Sequence, residues 1–191
     1  MFYTISVEQV PTATRDFVAK PDSLRQHDVL YEWTATDPNA TTFEGTSREL
    51  MRFEQSTVIH NVNDLAFAPD KTLYIDVGDD NFTFRPPNGR FSPSQDVSRV
   101  FGKILRIDPL GSNSANGQYG IPADNPFVRV EGAAEEAYAI GLRNPWRIHV
   151  DPTDGVLYAA DVGELNVEDV DVIVSGGTCS WAQKEGSRLA D

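Results

Sequence analysis

Four side chains in this 191-residue sequence have the types and spacing to do chemistry together. His60 stands just before the alternating run Asp64-Leu65-Ala66-Phe67-Ala68. An imidazole titrates near neutrality, so a histidine at a strand end suits removal of a proton from a hydroxyl. Asp79 closes the next strand, 19 residues on. Neighbouring strands of one meander bring both groups to the same end, where a carboxylate can hold the imidazole tautomer and raise its basicity. Arg143 lies 83 residues after His60, again just before a strand, in Gly141-Leu142-Arg143-Asn144-Pro145-Trp146. Its guanidinium can stabilise an oxygen that gains negative charge, and Asn144 can hydrogen-bond the rim of a bound group. Composition alone favours plainer roles for His60 and Asp79: a packed or surface histidine and a turn aspartate ahead of Asp80-Asn81. For Arg143, pairing with a surface acid is weighed against function, and the apolar flanks Leu142 and Pro145-Trp146 favour function. His149 alternates outward between Ile148 and Val150, His27 reads as part of a polar loop, and neither is expected to act. Trp33, Trp146 and Trp181 read as core or blade-packing residues.

The elements that must position these groups repeat with a period of two residues. Short alternating runs bounded by Pro, Asp and Gly mark strands at 2–8, 28–35, 48–54, 102–108, 146–150, 156–161 and 168–174, besides the two around Pro69-Asp70-Lys71. Residues 132–140 favour helix by composition, but Glu136-Ala137-Tyr138-Ala139-Ile140 reads equally as a strand. The segment from Leu65 to Asp79 is echoed by the one from Ile148 to Glu164. Each reads strand, Pro/Asp turn, Leu-Tyr strand, then Asp-Val-Gly and an acid, with Leu73-Tyr74 and Leu157-Tyr158 separated by 84 residues. Copies of a β-meander at a long, fixed spacing point to propeller blades. The spacing exceeds a minimal blade of about 40–45 residues, so long loops are expected, at 80–98 and 109–131. The expectation is one all-β, partial propeller domain over 1–191. Its blade copies lie near 60–108 and 143–186, and strands of a preceding blade lie in 1–55. Two to three blades do not close a propeller, and the open sheet edges invite self-association.

Composition narrows the partners. Sixteen Lys and Arg stand against 29 Asp and Glu, a formal net charge of -13. That balance argues against nucleic acid and anionic membranes as partners. A single cysteine, Cys179, excludes an internal disulfide and any cysteine-based metal site. No apolar run reaches the roughly 20 residues of a membrane span. The start, Met1 to Glu8, lacks the basic and apolar segments of a signal peptide and reads as a strand, as if cut from a longer chain.

An ordered series of motifs resembles the glucose/sorbosone dehydrogenase family, soluble six-bladed propeller sugar dehydrogenases that use pyrroloquinoline quinone (PQQ). The series runs His60-Asn61-Val62-Asn63-Asp64-Leu65-Ala66-Phe67-Ala68-Pro69-Asp70, then Gly78-Asp79, Gly102-Lys103-Ile104-Leu105-Arg106-Ile107-Asp108 and Ile121-Pro122-Ala123-Asp124-Asn125-Pro126-Phe127. It continues through Gly141-Leu142-Arg143-Asn144-Pro145, Asp161-Val162-Gly163-Glu164 and Gly176-Gly177-Thr178-Cys179-Ser180-Trp181. The resemblance covers about residues 50–186 and makes the chain look like the middle of the family's longer architecture. It implies that His60 is the general base, Asp79 its orienting carboxylate and Arg143 the cation beside the quinone. It also implies that Asn144 and Val162 lie at the cofactor, and that main-chain carbonyls around Gly163 and Glu164 hold a calcium ion that seats it.

By the same resemblance the substrate is a sugar oxidised at its anomeric hydroxyl to a lactone, the electrons pass to an external acceptor, and the setting is periplasmic or secreted. Three departures bear on this. Asn61-Val62-Asn63-Asp64 replaces glycines after the histidine and adds bulk near a flat cofactor. Cys179-Ser180 replaces an aromatic and a glycine before Trp181. The family's cations that clamp the cofactor carboxylates belong to later blades, so this chain alone is expected to bind PQQ weakly and to be inactive. Each missing charge-assisted contact removes about 1.5–3 kcal/mol. Two alternatives stand beside the enzyme: a non-catalytic propeller module that binds protein or glycan, and a calcium-dependent lactonase-type propeller.

Overall fold

The computed structural model describes residues 1–9, 14–18, 26–81 and 92–189. Most of the first expected loop, at 80–98, lies outside them. The chain divides into two compact units, Met1–Ser56 and Thr57–Asp191.

The first unit is a sheet of β1 (Phe2–Glu8), β2 (Phe17–Val18), β3 (Gln26–Ala35) and β4 (Gly45–Gln55) in the order β1-β3-β4-β2. All pairings are antiparallel except the short parallel ladder between β2 and β4. β3 begins two residues before the expected run, so His27 is a wholly buried strand residue and not part of a polar loop. Polar residues continue this strand because they are paired. Arg52 Nη1 lies 3.1 Å from His27 Nδ1, Arg52 donates to Glu8 and Glu49, and Gln55 donates to Asp28 at 2.8 Å. Alternation counts such residues as exposed, whereas a hydrogen-bonded network can be buried without that penalty. Trp33 has the packing role expected of it, stacked on Phe2 and edge-on to Phe43.

The second unit contains one full meander and most of another. β5 (Val62–Phe67), β6 (Leu73–Val77), β7 (Lys103–Ile107) and β8 (Ala137–Ile140) pair antiparallel in chain order. β9 (Pro145–Val150), β10 (Leu157–Asp161) and β11 (Asp169–Ile173) repeat the pattern. β12 (Lys184–Glu185) and β13 (Arg188–Leu189) form a small hairpin. Residues 137–140 are thus strand and not helix. The two meanders share one apolar core of Tyr74, Ile104, Ala139, Leu142, Ile148, Leu157, Ala159 and Ile173. Trp146 lies outside it and is 52% exposed, against the packing role expected from its apolar neighbours.

The first strands of the two meanders are stitched together by polar side chains. Asn63 donates to Asn144 Oδ1 at 3.2 Å and to the Pro145 carbonyl at 2.7 Å, and the Ile148 amide donates to Asp64 at 3.2 Å. The repeat is thereby visible in three dimensions, with one small insertion in the second copy. His60 and Arg143 are 83 residues apart, the Leu-Tyr pairs 84, and Asp76 and Asp161 85. One extra residue sits in the hairpin turn before β10, where Gly155 takes φ +76°. The further offset of the aspartates is not an insertion in the ladder: both first strands carry the same one-residue bulge, Val62 pairing with Val77 and Pro145 with Asp161, so Asp161 stands one position further along its strand than Asp76.

Candidate functional site

Both members of the Asp76/Asp161 pair serve the chain ends that carry the candidate residues. Asp76, on β6, accepts from the amides of Asn63 and Asp64 at 2.9 and 2.7 Å. Asp161, at the end of β10, accepts from the amides of Arg143 and Asn144 at 2.9 and 2.7 Å. Each carboxyl is buried, and burial pushes it up, Asp76 to about 8 and Asp161 to about 7. These carboxyls hold the strand starts from beneath. Sequence reasoning missed them, although the Asp of each Asp-Val-Gly copy was the available signal.

His60 reaches its place through a left-handed backbone, φ +58°. Gly78 permits it: a Cβ there would overlap the His60 carbonyl. The Asp80 amide then donates to that carbonyl at 3.1 Å, and the Gly78 amide to Asn61 at 2.8 Å. With the backbone so fixed, His60 Nδ1 lies 2.6 Å from Asp79 Oδ1. Both residues are buried, at 7% and 1% exposure. An ionised carboxylate can only accept, so Nδ1 carries the hydrogen and Nε2 is left to take a proton.

The other carboxylate oxygen, Asp79 Oδ2, accepts from Trp181 Nε1 at 2.9 Å. Trp181 is buried and anchored: its amide donates to Gly141, and its carbonyl accepts from Gln95 at 2.5 Å and Ser94 at 3.3 Å. Ser94 belongs to a short 3-10 helix, Pro93–Gln95, whose carbonyls are gathered by a buried lysine. Lys103 Nζ donates to Pro93 at 2.9 Å, Ser94 at 3.3 Å and Phe101 at 3.0 Å, and burial pushes its ammonium down to about 7. Trp181 was expected only to pack. The run Gly176-Gly177-Thr178 before it marked a turn, but nothing in the sequence marked its partner.

Arg143 joins the same cluster. Its carbonyl accepts from the Asp79 amide at 2.7 Å, and its guanidinium carbon lies 5.3 Å from the centre of the Trp181 ring. Nη1 donates to the carbonyls of Val162 and Gly163 at 3.1 and 2.9 Å. The loop bearing those carbonyls wraps around one carboxylate. Glu185 Oε1 accepts from the successive amides of Glu164, Leu165, Asn166 and Val167 at 2.6 to 3.3 Å. Against the opposing effect of burial, those amide bonds hold Glu185 at about 2, well below the usual carboxylate range. Gly163 cannot be larger, because a Cβ would overlap the Val167 carbonyl.

The sequence-derived residues therefore fall into one cluster with two parts. A side-chain hydrogen bond joins His60 to Asp79, a backbone one joins Asp79 to Arg143, and Trp181 donates to Asp79 while its ring lies against the Arg143 guanidinium. Val162 and Gly163 meet Arg143 by their carbonyls. Asn144 is buried beside them with Oδ1 already engaged by Asn63, and Glu164 is tied through its amide to Glu185. Among the described residues, no group of three or more His, Cys, Asp or Glu side chains is placed to hold a metal. The bulky residues after His60 are used for stitching, Asn63 and Asp64 reaching to the next meander.

Comparison with known proteins bears on this cluster. A family model described as Glucose / Sorbosone dehydrogenase matches residues 19–188. The HIPL1 protein of Arabidopsis thaliana is 36% identical over 68% of the chain. Quinoprotein glucose dehydrogenase B of Acinetobacter calcoaceticus is 28% identical over 66% of it. The chain spans 19% and 27% of those two relatives. The solved PQQ-bound form of an aldose sugar dehydrogenase from Streptomyces coelicolor superposes with a TM-score of 0.60 at 26% identity, covering 89% of this chain and 45% of that one. The all-β meanders are thus part of a six-bladed β-propeller, and the chain belongs to the Glucose / Sorbosone dehydrogenase family.

Proposed function

We propose that this chain supplies the proton-accepting part of a PQQ-dependent sugar dehydrogenase site, within one partial propeller domain over 1–191. The observation that carries this reading is the buried His60–Asp79 pair, 2.6 Å apart, with the Arg143 backbone bonded to the same aspartate. His60 Nε2 takes the proton of the anomeric hydroxyl. Asp79 holds Nδ1–H and balances the positive charge that the imidazole gains. Arg143 presents a fixed positive charge beside the pair, suited to an oxygen that becomes negative. Asn144 offers its amide Nδ2 at the same mouth.

The chemistry a bound PQQ supplies is acceptance of a hydride, the sugar being oxidised to a lactone. The solved Streptomyces coelicolor relative is a PQQ-bound form, and the family supports the same class of cofactor here. For calcium, the donors fit in kind. The Val162 and Gly163 carbonyls converge on one cationic nitrogen, and a hard cation takes neutral carbonyl oxygens of this sort. By the family resemblance, the proposed setting is periplasmic or secreted and the proposed electron acceptor is external. Among the described residues no helix is long and apolar enough to cross a membrane.

A second reading, a non-catalytic binding module, is favoured by one feature: Arg143 and Asn144 Oδ1 already have partners within the chain. Titration of PQQ with calcium, followed by absorbance, separates the two, with dye-linked aldose oxidation as the activity readout. The dehydrogenase reading expects a saturable spectral change and, in a protein of full family length, oxidation that His60→Ala abolishes. Oxidation that survives His60→Ala rejects His60 as the base. Absence of any PQQ response in the protein of full family length, with ligand capture retained, selects the binding module.

A further inference from the structure

We propose that Trp181 is a positioning residue for the His60–Asp79 pair, its indole N–H fixing the carboxylate that orients the imidazole and its ring supporting Arg143. The proposal rests on the reading of His60 as a proton acceptor and goes beyond it by naming a third member. The geometry is a continuous chain: Trp181 Nε1 to Asp79 Oδ2 at 2.9 Å, then Asp79 Oδ1 to His60 Nδ1 at 2.6 Å. The two carboxylate oxygens are thus engaged from opposite sides, so the plane of Asp79 is set by tryptophan before the imidazole meets it. The Asn81 amide also donates to Oδ1, at 2.9 Å.

Trp181 is well suited to this task because its own backbone is fixed at both polar groups by Gly141, Gln95 and Ser94. Its two functions reside on different parts of the ring. The N–H edge serves Asp79, and the π-face, 5.3 Å from the guanidinium carbon, serves Arg143. A residue needed only to fill space has no use for the indole nitrogen. Among phenylalanine, tyrosine and tryptophan, only the last two donate hydrogen bonds, and only tryptophan does so without also accepting.

The consequence is a coupling between indole and imidazole. A donor on Oδ2 draws carboxylate charge away from Oδ1 and so restrains the basicity of His60. The charged groups around this pair are Asp79 itself, Asp80 and Asp161 on the acidic side and Arg143 on the basic side. None of these is altered in the test. In the 191-residue chain, NMR titration of His60 is compared between the wild type and Trp181→Phe, which keeps an aromatic ring for Arg143 and removes only the donor. The expected result is an upward shift of the His60 midpoint by about one pH unit, the scale of losing a charge-assisted hydrogen bond. A midpoint unchanged within a few tenths of a unit in a folded variant overturns the proposal.

A second measurement needs no substitution. The Trp181 indole N–H resonance of the wild type should move with the same midpoint as His60, because Asp79 connects them. An indole signal that stays flat through the His60 titration overturns the proposal even where Trp181→Phe fails to fold. The dehydrogenase reading is tested separately, since coupling of the two resonances stands or falls without PQQ or sugar, and sugar oxidation stands or falls with His60→Ala.

Discussion

Replacing Asp76 with asparagine should make the protein less stable than wild type in mild acid and more stable in mild base. Asp76 is fully buried, its Oδ1 accepts two backbone amides, and its Oδ2 has no hydrogen bond among the described residues. Burial moves its carboxyl from the ordinary 3.8 to about 8. The folded state therefore holds the proton more tightly than the unfolded one. The contribution is fully favourable below the unfolded value and is lost as pH rises toward the folded one. Between about pH 5 and about pH 8 that linkage amounts to about 3–4 kcal/mol for the full shift. An asparagine side chain is blind to pH. It keeps the acceptor for both amides and places an NH2 where Oδ2 has no partner, which costs about 1 kcal/mol. The two stability curves should cross, with the variant about 1 kcal/mol weaker at the lower pH and about 2 kcal/mol stronger at the higher. Urea unfolding followed by tryptophan fluorescence in a Trp33→Phe background reads this, since Trp146 and Trp181 then report on the second unit alone. A difference between variant and wild type that stays constant within about 0.5 kcal/mol across the range would show that Asp76 is ionised in the folded state and refute the reasoning.

Three further outcomes follow from the same contacts. Glu185→Gln should lower the protection of the amides at 164–167 against hydrogen exchange, and in the wild type that protection, taken relative to each amide's intrinsic rate, should itself fall as pH drops from 4.5 toward 2, the range over which the depressed carboxylate takes up its proton and its stabilisation is lost. Gly163→Ala should lower the melting temperature by several degrees, measured by circular dichroism, because the new Cβ meets the Val167 carbonyl and the loop must open. Lys103→Met removes the donor to three carbonyls and should cost about 3 kcal/mol in urea unfolding, with Trp181 fluorescence changing as the 92–95 turn loosens; a loss below about 0.5 kcal/mol would show the ammonium to be dispensable.

Much of this was legible in the sequence, for a physical reason. Alternation reports which side of a sheet faces a core, and the strands at 2–8, 102–108, 146–150 and 168–174 lie within a residue of their observed ends. The strand ends themselves were harder. β3 starts two residues early, at Gln26, because His27 and the adjoining Asp28 are paired in the buried sheet, and pairing leaves no periodic mark. The roles of His60 and Asp79 came from the resemblance, since composition alone favoured plainer ones, whereas Arg143 stood out by its apolar flanks and its place one repeat after His60. Trp181 and Glu185 act across 102 and about 20 residues of chain, on partners that neither composition nor spacing can designate. Trp146 misled because an apolar ring beside a proline suggests burial, whereas its strand turns it outward.

The one insertion that separates the copies has a bearing on how such a propeller can change over time. It is taken up in a tight turn, where the ladder demands no partner. Had it fallen between paired positions, every later side chain of that strand would have swapped sides. Length can thus drift at such a seam while the working rim stays put. A laboratory graft of one blade onto another should be cut at the hairpin after Val150.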